Sequence, residues 1–132
     1  MPQNGQAGMD LLSPTVRKLM DEAAARGEVS RPAPKAEYFL VQREEDRAWV
    51  DQMMTPQPIG VARQPIRLTG ALDKVPAKTY IRAPAFKQGN FDMAYERTRK
   101  DPAWRTHEVA CGHDVMVDEP ELLTRILLNA QG

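Results

Sequence analysis

His113 is the residue of this sequence best placed to do chemistry. It stands in Cys111-Gly112-His113, directly after residues 105–110, whose alternation predicts a β-strand. In open α/β sheets, ligands and reacting groups gather at the carboxyl ends of the strands. An imidazole titrates near neutral pH, so it is the usual general base for a nucleophile. The position makes His113 a candidate catalytic base, although a histidine that only makes local hydrogen bonds within its loop is the commoner case.

The neighbours of His113 offer further chemistry. Gly112 lets the backbone turn sharply and can present the imidazole outward. Cys111 could act as a nucleophile, or could join a metal site with His107 and Asp114. A chain with 2 His and 1 Cys, lacking a second spaced pair, carries a weak metal signal, so a small buried cysteine is favoured. We expect no metal and no cofactor.

Serine, the common partner of a catalytic histidine, occurs only at positions 13 and 30. Ser13 precedes Pro14 and is typical of a helix N-cap, whereas Ser30 lies in a proline-rich extended connector. Neither serine has a glycine two residues away on both sides, so these 132 residues contain no Gly-x-Ser-x-Gly nucleophile elbow.

Composition excludes several classes of protein. The 18 Lys and Arg balance the 18 Asp and Glu, which argues against nucleic acid as the partner because phosphate binding needs clustered positive charge. One cysteine excludes a disulfide framework. No apolar run approaches the roughly 20 residues of a membrane helix, and the first residues have no signal-peptide pattern. We therefore expect a cytoplasmic protein that does not bind membranes.

The elements that must position His113 follow from apolar spacing and from the prolines. The pattern predicts helices over residues 14–26, 43–54 and 91–100 and from Pro120 onward, and strands over residues 78–82 and 104–110. Asn90 is the expected cap of the third helix, and residues 111–120 are expected to form a loop. Trp49, Met53 and Met54 could line a substrate pocket, although their helical spacing favours ordinary packing.

From residue 76 onward the order is strand, helix, strand, loop, helix, which is the alternation of a parallel α/β sheet. Two parallel strands with their helices make a poor free-standing fold, because a parallel sheet needs both faces covered and further strands beside it. We expect this segment to be the end of a larger α/β domain.

The stretch GHDVMVDEPELLTRILLNA, with the preceding strand TYIRAP, resembles the C-terminal end of an α/β-hydrolase. It is most similar to small bacterial esterases related to plant methyl-ester esterases and hydroxynitrile lyases. In that lineage the last strand leads into Gly-His, a Met and a Pro follow, and an amphipathic helix closes the fold. Gly112, His113, Met116 and Pro120 match this pattern. The resemblance implies that His113 is the catalytic base of an ester hydrolase.

The resemblance extends over most of the chain. Residues 54–68 are similar to the segment leading out of the family's helical cap, and MPQNGQ resembles the loop after the strand that follows the nucleophile-bearing unit. It implies a helical cap-like region over residues 1–64, followed over residues 65–132 by the strand-helix-strand-helix C-terminal portion of the hydrolase sheet.

The chain departs from the family pattern at the other catalytic groups. The family's usual acid follows the strand matched by residues 78–82, but residues 83–86 carry no carboxylate. Asp92 could be a displaced substitute, although a place in the first turn of a helix favours a dipole partner, as it does for Asp118, Glu119 and Glu121 around Pro120. The nucleophile and the oxyanion-hole amides are expected upstream of Met1.

Two hypotheses follow. In the first, the chain carries the histidine of a carboxylic ester hydrolase, acts on a small ester only in the intact enzyme, and is inactive alone. In the second, it is a non-enzymatic, truncated or repurposed half-domain that self-associates or binds a partner through an exposed sheet edge.

Overall fold

The computed structural model describes residues 3–131. Along them run α1 (Pro14–Ala25), β1 (Ser30–Arg31), α2 (Glu44–Met53), β2 (Gln57–Pro58), α3 (Ile59–Arg63), β3 (Lys78–Arg82), α4 (Gly89–Thr98), β4 (Trp104–Glu108), α5 (Val115–Asp118) and α6 (Pro120–Leu128). Short 3-10 turns lie at Gly8–Leu11, Ala36–Phe39, Ala71–Lys74 and Asn129–Gln131. None of the helices within residues 3–131 is long and apolar enough to cross a membrane.

The first of two compact units comprises residues 3–33 and 54–72. Ser13 caps α1 as expected, since its Oγ accepts a hydrogen bond from the Val16 amide, and Gly27 ends the helix region with a φ of 81°. The strands β1 and β2 pair antiparallel, and a small apolar core forms between the 3-10 turn at Gly8–Leu11, α1 and α3. Its buried members are Met9, Met20, Ala23 and Ile59.

The second unit, called here the sheet unit, comprises residues 34–53 and 73–131. Its two strands pair in parallel, with Lys78 opposite Trp104 and Arg82 opposite Glu108, so the predicted parallel arrangement is confirmed. The strand β3 has the predicted bounds, because its β-branched and aromatic residues lie between Pro76 and Pro84.

The core of the sheet unit lies at the carboxyl ends of the strands and under α6. Its fully or nearly fully buried residues are Ala83, Val109, Cys111, Val115 and Ile126. A second apolar cluster, formed by Ala36, Val41 and Val50, packs the 3-10 turn at Ala36–Phe39 against α2. The chain next to His113 is therefore held by packing on two sides.

Several predicted elements differ from those observed. The helix predicted over residues 91–100 with an Asn90 cap begins at Gly89, because the Gln88 carbonyl accepts bonds from the amides of Phe91 and Asp92. The strand predicted over residues 104–110 ends at Glu108. The predicted loop over residues 111–120 contains α5, whose first turn closes on the Asp114 carbonyl.

The expected packing of Trp49, Met53 and Met54 is wrong. Val50 of α2 is buried, but these three side chains are 55%, 61% and 40% exposed. The two compact units are defined by contacts within this chain alone. Such contacts do not test whether residues 1–64 form a hydrolase cap, so that assignment stays a prediction.

Candidate active site

His113 lies at the carboxyl end of the parallel sheet, five residues after β4 ends. The Val109 amide still donates to the Arg82 carbonyl at 2.9 Å, so the chain beyond β4 remains beside the end of β3. Since parallel strands end at the same edge, the loop after β3 is brought next to residues 109–114, called here the histidine loop. The predicted location of His113 in the fold is confirmed, and its role as a base stays a prediction.

Three phenylalanine rings surround the half-buried imidazole of His113. The centroid distances are 5.7 Å to Phe39, 4.7 Å to Phe86 and 5.3 Å to Phe91, with interplanar angles of 24°, 33° and 22°. Such face-to-face and tilted contacts cover part of the imidazole surface and restrict its rotation. Only Phe86 belongs to the loop after β3; Phe39 comes from the 3-10 turn and Phe91 from α4.

The backbone of the histidine loop approaches residues 39–40 closely. The His113 amide donates to the Phe39 carbonyl at 2.8 Å. A Cβ atom on Gly112 would lie 2.2 Å from the Leu40 carbonyl oxygen and 2.8 Å from that of Phe39. Gly112 is not among the residues with positive φ, so this close approach, rather than the expected sharp turn, requires the glycine. Leu40 itself adopts a left-handed conformation, with a φ of 60°.

The loop that follows β3 brings an aromatic ring, not a carboxylate, to His113. Asp92, the possible substitute, binds Arg82 instead: its Oδ1 accepts from Nε at 3.0 Å and from Nη2 at 2.7 Å. Arg82 is only 4% exposed and also donates to the carbonyls of Ala83 and Phe86. Asp92 thus compensates a buried guanidinium from the first turn of α4, and Arg82 in turn binds the backbone of the loop that carries Phe86.

Asp114 is the carboxylate adjacent to the histidine in the chain. Burial raises the pKa of Asp114, the nearby His113 opposes this increase, and the charge of Asp118 adds to it. Asp114 therefore interacts electrostatically with His113, whereas the sequence alone placed Asp114 only in a possible metal site with Cys111 and His107.

Cys111 is fully buried in the core of the sheet unit. Burial raises the pKa of its thiol to about 11, and the charges of Asp118, Glu119 and Asp114 contribute. Because the thiolate is the nucleophile and the metal ligand, this protonated thiol is suited to neither role at neutral pH. Within residues 3–131, no group of three His, Cys, Asp or Glu side chains could hold a metal ion.

No protein-family model matches this chain. A carbendazim-hydrolysing esterase from Nocardioides sp. (strain SG-4G) is 33% identical over 97 residues, which are 74% of this chain and 39% of that protein. A solved extracellular α/β-hydrolase from a Paenibacillus species superimposes with a TM-score of 0.74 over 98% of this chain and 57% of its own length. That hydrolase is described as sharing structural and functional homology with tobacco salicylic acid binding protein 2, and it is 16% identical to this chain.

The chain has the fold of the C-terminal portion of an α/β-hydrolase. Its sequence is similar to that of one bacterial esterase, and together with the fold this confirms the predicted lineage. The chain spans well under two thirds of each relative, 39% of the esterase and 57% of the Paenibacillus protein. In this α/β-hydrolase portion, the parallel strands β3 and β4 carry His113 at the edge of the sheet where the reacting groups of such folds collect.

Proposed function

We propose that this chain supplies His113 as the catalytic base of a carboxylic ester hydrolase whose serine nucleophile lies outside these 132 residues. The observation that carries the proposal is an imidazole at the carboxyl end of the last parallel strand, in a chain related to an esterase. The nucleophile is placed elsewhere because Ser13 caps α1 and Ser30 lies in β1, and neither stands in a nucleophile elbow.

The reaction follows the logic of a serine hydrolase. The serine oxygen attacks the acyl carbon, and an imidazole nitrogen of His113 takes the hydroxyl proton. The same nitrogen then protonates the departing alcohol, which leaves an acyl-enzyme. Water, deprotonated by His113, hydrolyses this ester, and the proton returns to the serine. The rings of Phe39, Phe86 and Phe91 hold the imidazole for these transfers from within this chain.

A chimera tests the proposal. This chain replaces the segment of the Nocardioides esterase that it matches, and hydrolysis of p-nitrophenyl acetate is followed for the chimera and for the isolated chain. We expect the chimera to hydrolyse the ester and the isolated chain to match the buffer rate, since the chimera keeps the part of the esterase that this chain does not span and this chain contains no nucleophile elbow.

Two results would contradict the proposal. One is a chimera that is folded by circular dichroism and gel filtration but has no esterase activity. The other is a burst of p-nitrophenol from the isolated 132-residue chain that disappears on His113→Ala. That burst would place a nucleophile within the chain itself.

A second candidate function is association through the sheet, with a further copy of this chain as the partner. Within residues 3–131, β3 and β4 form a sheet of two strands, so each strand has one edge that pairs with no other strand. Unpaired edges are templates for strand addition. We expect sedimentation velocity of the isolated chain to show a dimer fraction that grows with concentration. A single monomer boundary over a hundredfold range of concentration would reject this candidate.

A further inference from the structure

We propose that Asp118 is a positioning residue for His113, acting by tying the histidine loop to residues 39–42. Its importance for catalysis rests on the proposed role of His113 as a base. The connection itself rests only on the contacts described below, and it goes beyond the interaction with the helix dipole that the position of Asp118 beside Pro120 indicates.

Both oxygens of the Asp118 carboxylate are occupied by backbone amides of different segments. Oδ2 accepts from the Gly112 amide at 2.9 Å, and Oδ1 accepts from the Gln42 amide at 2.9 Å. Directly beside them, the His113 amide donates to the Phe39 carbonyl at 2.8 Å. We call these three hydrogen bonds the histidine clamp. The clamp joins two segments, residues 39–42 and 112–118, that lie about 70 residues apart in sequence.

The clamp also determines the aromatic surroundings of the imidazole. Phe39 both accepts the His113 amide bond and stacks its ring on the imidazole at 5.7 Å. If Asp118 lost its bond to Gln42, residues 39–42 would be held to the histidine loop by fewer bonds, and the ring of Phe39 could move away. Asp118 is itself held by α5, where its amide donates to the Asp114 carbonyl at 3.0 Å.

The clamp needs two acceptors on one side chain. Asparagine has the shape of aspartate but offers one oxygen acceptor, and its NH₂ group would face the second backbone N–H. If Asp118 only filled space, asparagine could replace it without weakening the contact between the two segments. Asp118→Asn is therefore the decisive variant, with Asp118→Ala beside it. Asp10→Asn is the matched control, because Asp10 accepts one amide bond, from Ala7 through Oδ2.

Cys111 provides a readout on the isolated chain that needs no esterase activity. It is the single cysteine, it is fully buried, and it is bonded directly to Gly112, whose amide belongs to the clamp. At pH 8 its protonated, buried thiol reacts with a disulfide reagent only when the loop opens. Loss of a hydrogen bond to a charged group should raise the labelling rate about tenfold to a hundredfold. Because the charge of Asp118 also contributes to the raised pKa of the thiol, Glu119→Gln, which removes another contributing charge outside the clamp, is the control for this electrostatic effect.

A spectroscopic signature separates positioning from general stability. Stacked phenylalanine rings displace the NMR signals of the His113 imidazole protons, and this displacement should shrink in Asp118→Asn while the melting temperature is still well above that of the measurement. We expect Asp10→Asn to keep both the signals and the labelling rate of the unsubstituted chain.

Hydrogen exchange on the unsubstituted chain keeps the test independent of variant folding. The Gly112, His113 and Gln42 amides should be protected to the same extent, because one opening event breaks the clamp. The proposal is overturned if the Gln42 and Gly112 amides exchange as in an open loop. It is equally overturned if Asp118→Asn keeps the labelling rate and the imidazole signals. In either case the chimera assay tests separately whether His113 is the base.

Discussion

Replacing Gly112 by alanine should destabilise the sheet unit by about 3 kcal/mol, at the upper end of the usual cost of overpacking. The added Cβ would lie 2.2 Å from the Leu40 carbonyl oxygen, and a backbone carbonyl cannot rotate away as a side chain does. Urea unfolding followed by tryptophan fluorescence measures this change, because both tryptophans, Trp49 and Trp104, lie in the sheet unit.

Gly89→Ala is the matched control for that measurement. Gly89 is in the same unit, at the first position of α4, and a Cβ there would meet nothing within 4 Å. Alanine has the higher helix propensity, so this variant should be neutral or more stable by up to about 1 kcal/mol. Equal stability of the Gly112→Ala and Gly89→Ala variants would show that the backbone of residues 39–40 does not closely contact Gly112.

Replacing His113 by alanine in the esterase chimera should lower kcat/KM by at least about 10³-fold. A general base contributes roughly 10² to 10⁴ in rate, and removing the histidine of a catalytic triad costs more than that. His107→Ala is the control, since the chain has 2 histidines and the second is exposed on β4. Hydrolysis of p-nitrophenyl acetate provides the rates. A comparable loss of kcat/KM in both variants would show that His113 has no role in catalysis that His107 lacks.

The strands β3 and β4 and the principal helices could be predicted because their signals are local, whereas the sequence pattern predicts neither the two-residue strands β1 and β2 nor the short helix α3. Pro76 and Pro84 bound the β-branched run of β3, and Ser13-Pro14 starts α1 at the predicted residue. His113 could be placed at the end of β4 for the same reason: a strand pattern and a glycine stand directly before it. The fold follows from the order of these elements.

The surroundings of His113 could not be predicted, since they depend on contacts between segments far apart in sequence. Phe39 lies more than 70 residues before His113 and precedes a left-handed Leu40, for which no glycine gives a signal. Arg82 was identified only as a strand residue, yet it is buried and binds Asp92, the carboxylate considered as a displaced catalytic acid. The contacts of these side chains depend on tertiary packing, which local sequence patterns do not encode.

The same limit applies to Asp118. Its position beside Pro120 gave it an ordinary explanation as a dipole partner. Only the fold brings the Gln42 amide to one oxygen and the Gly112 amide to the other. The residues next to Asp118 in sequence give no signal that its carboxylate accepts hydrogen bonds from backbone amides of two separate segments.

Chemical rescue is the sharpest test of the imidazole at position 113 as the base. In the His113→Ala chimera the missing ring leaves a space bounded by Phe39, Phe86 and Phe91, which free imidazole can occupy. With the enzyme-free rate subtracted, we predict that millimolar imidazole restores ester hydrolysis in a saturable manner in this variant and leaves the His107→Ala chimera unchanged. Full activity of the His113→Ala chimera without imidazole, or no saturable rescue of an inactive one, would show that His113 is not the base.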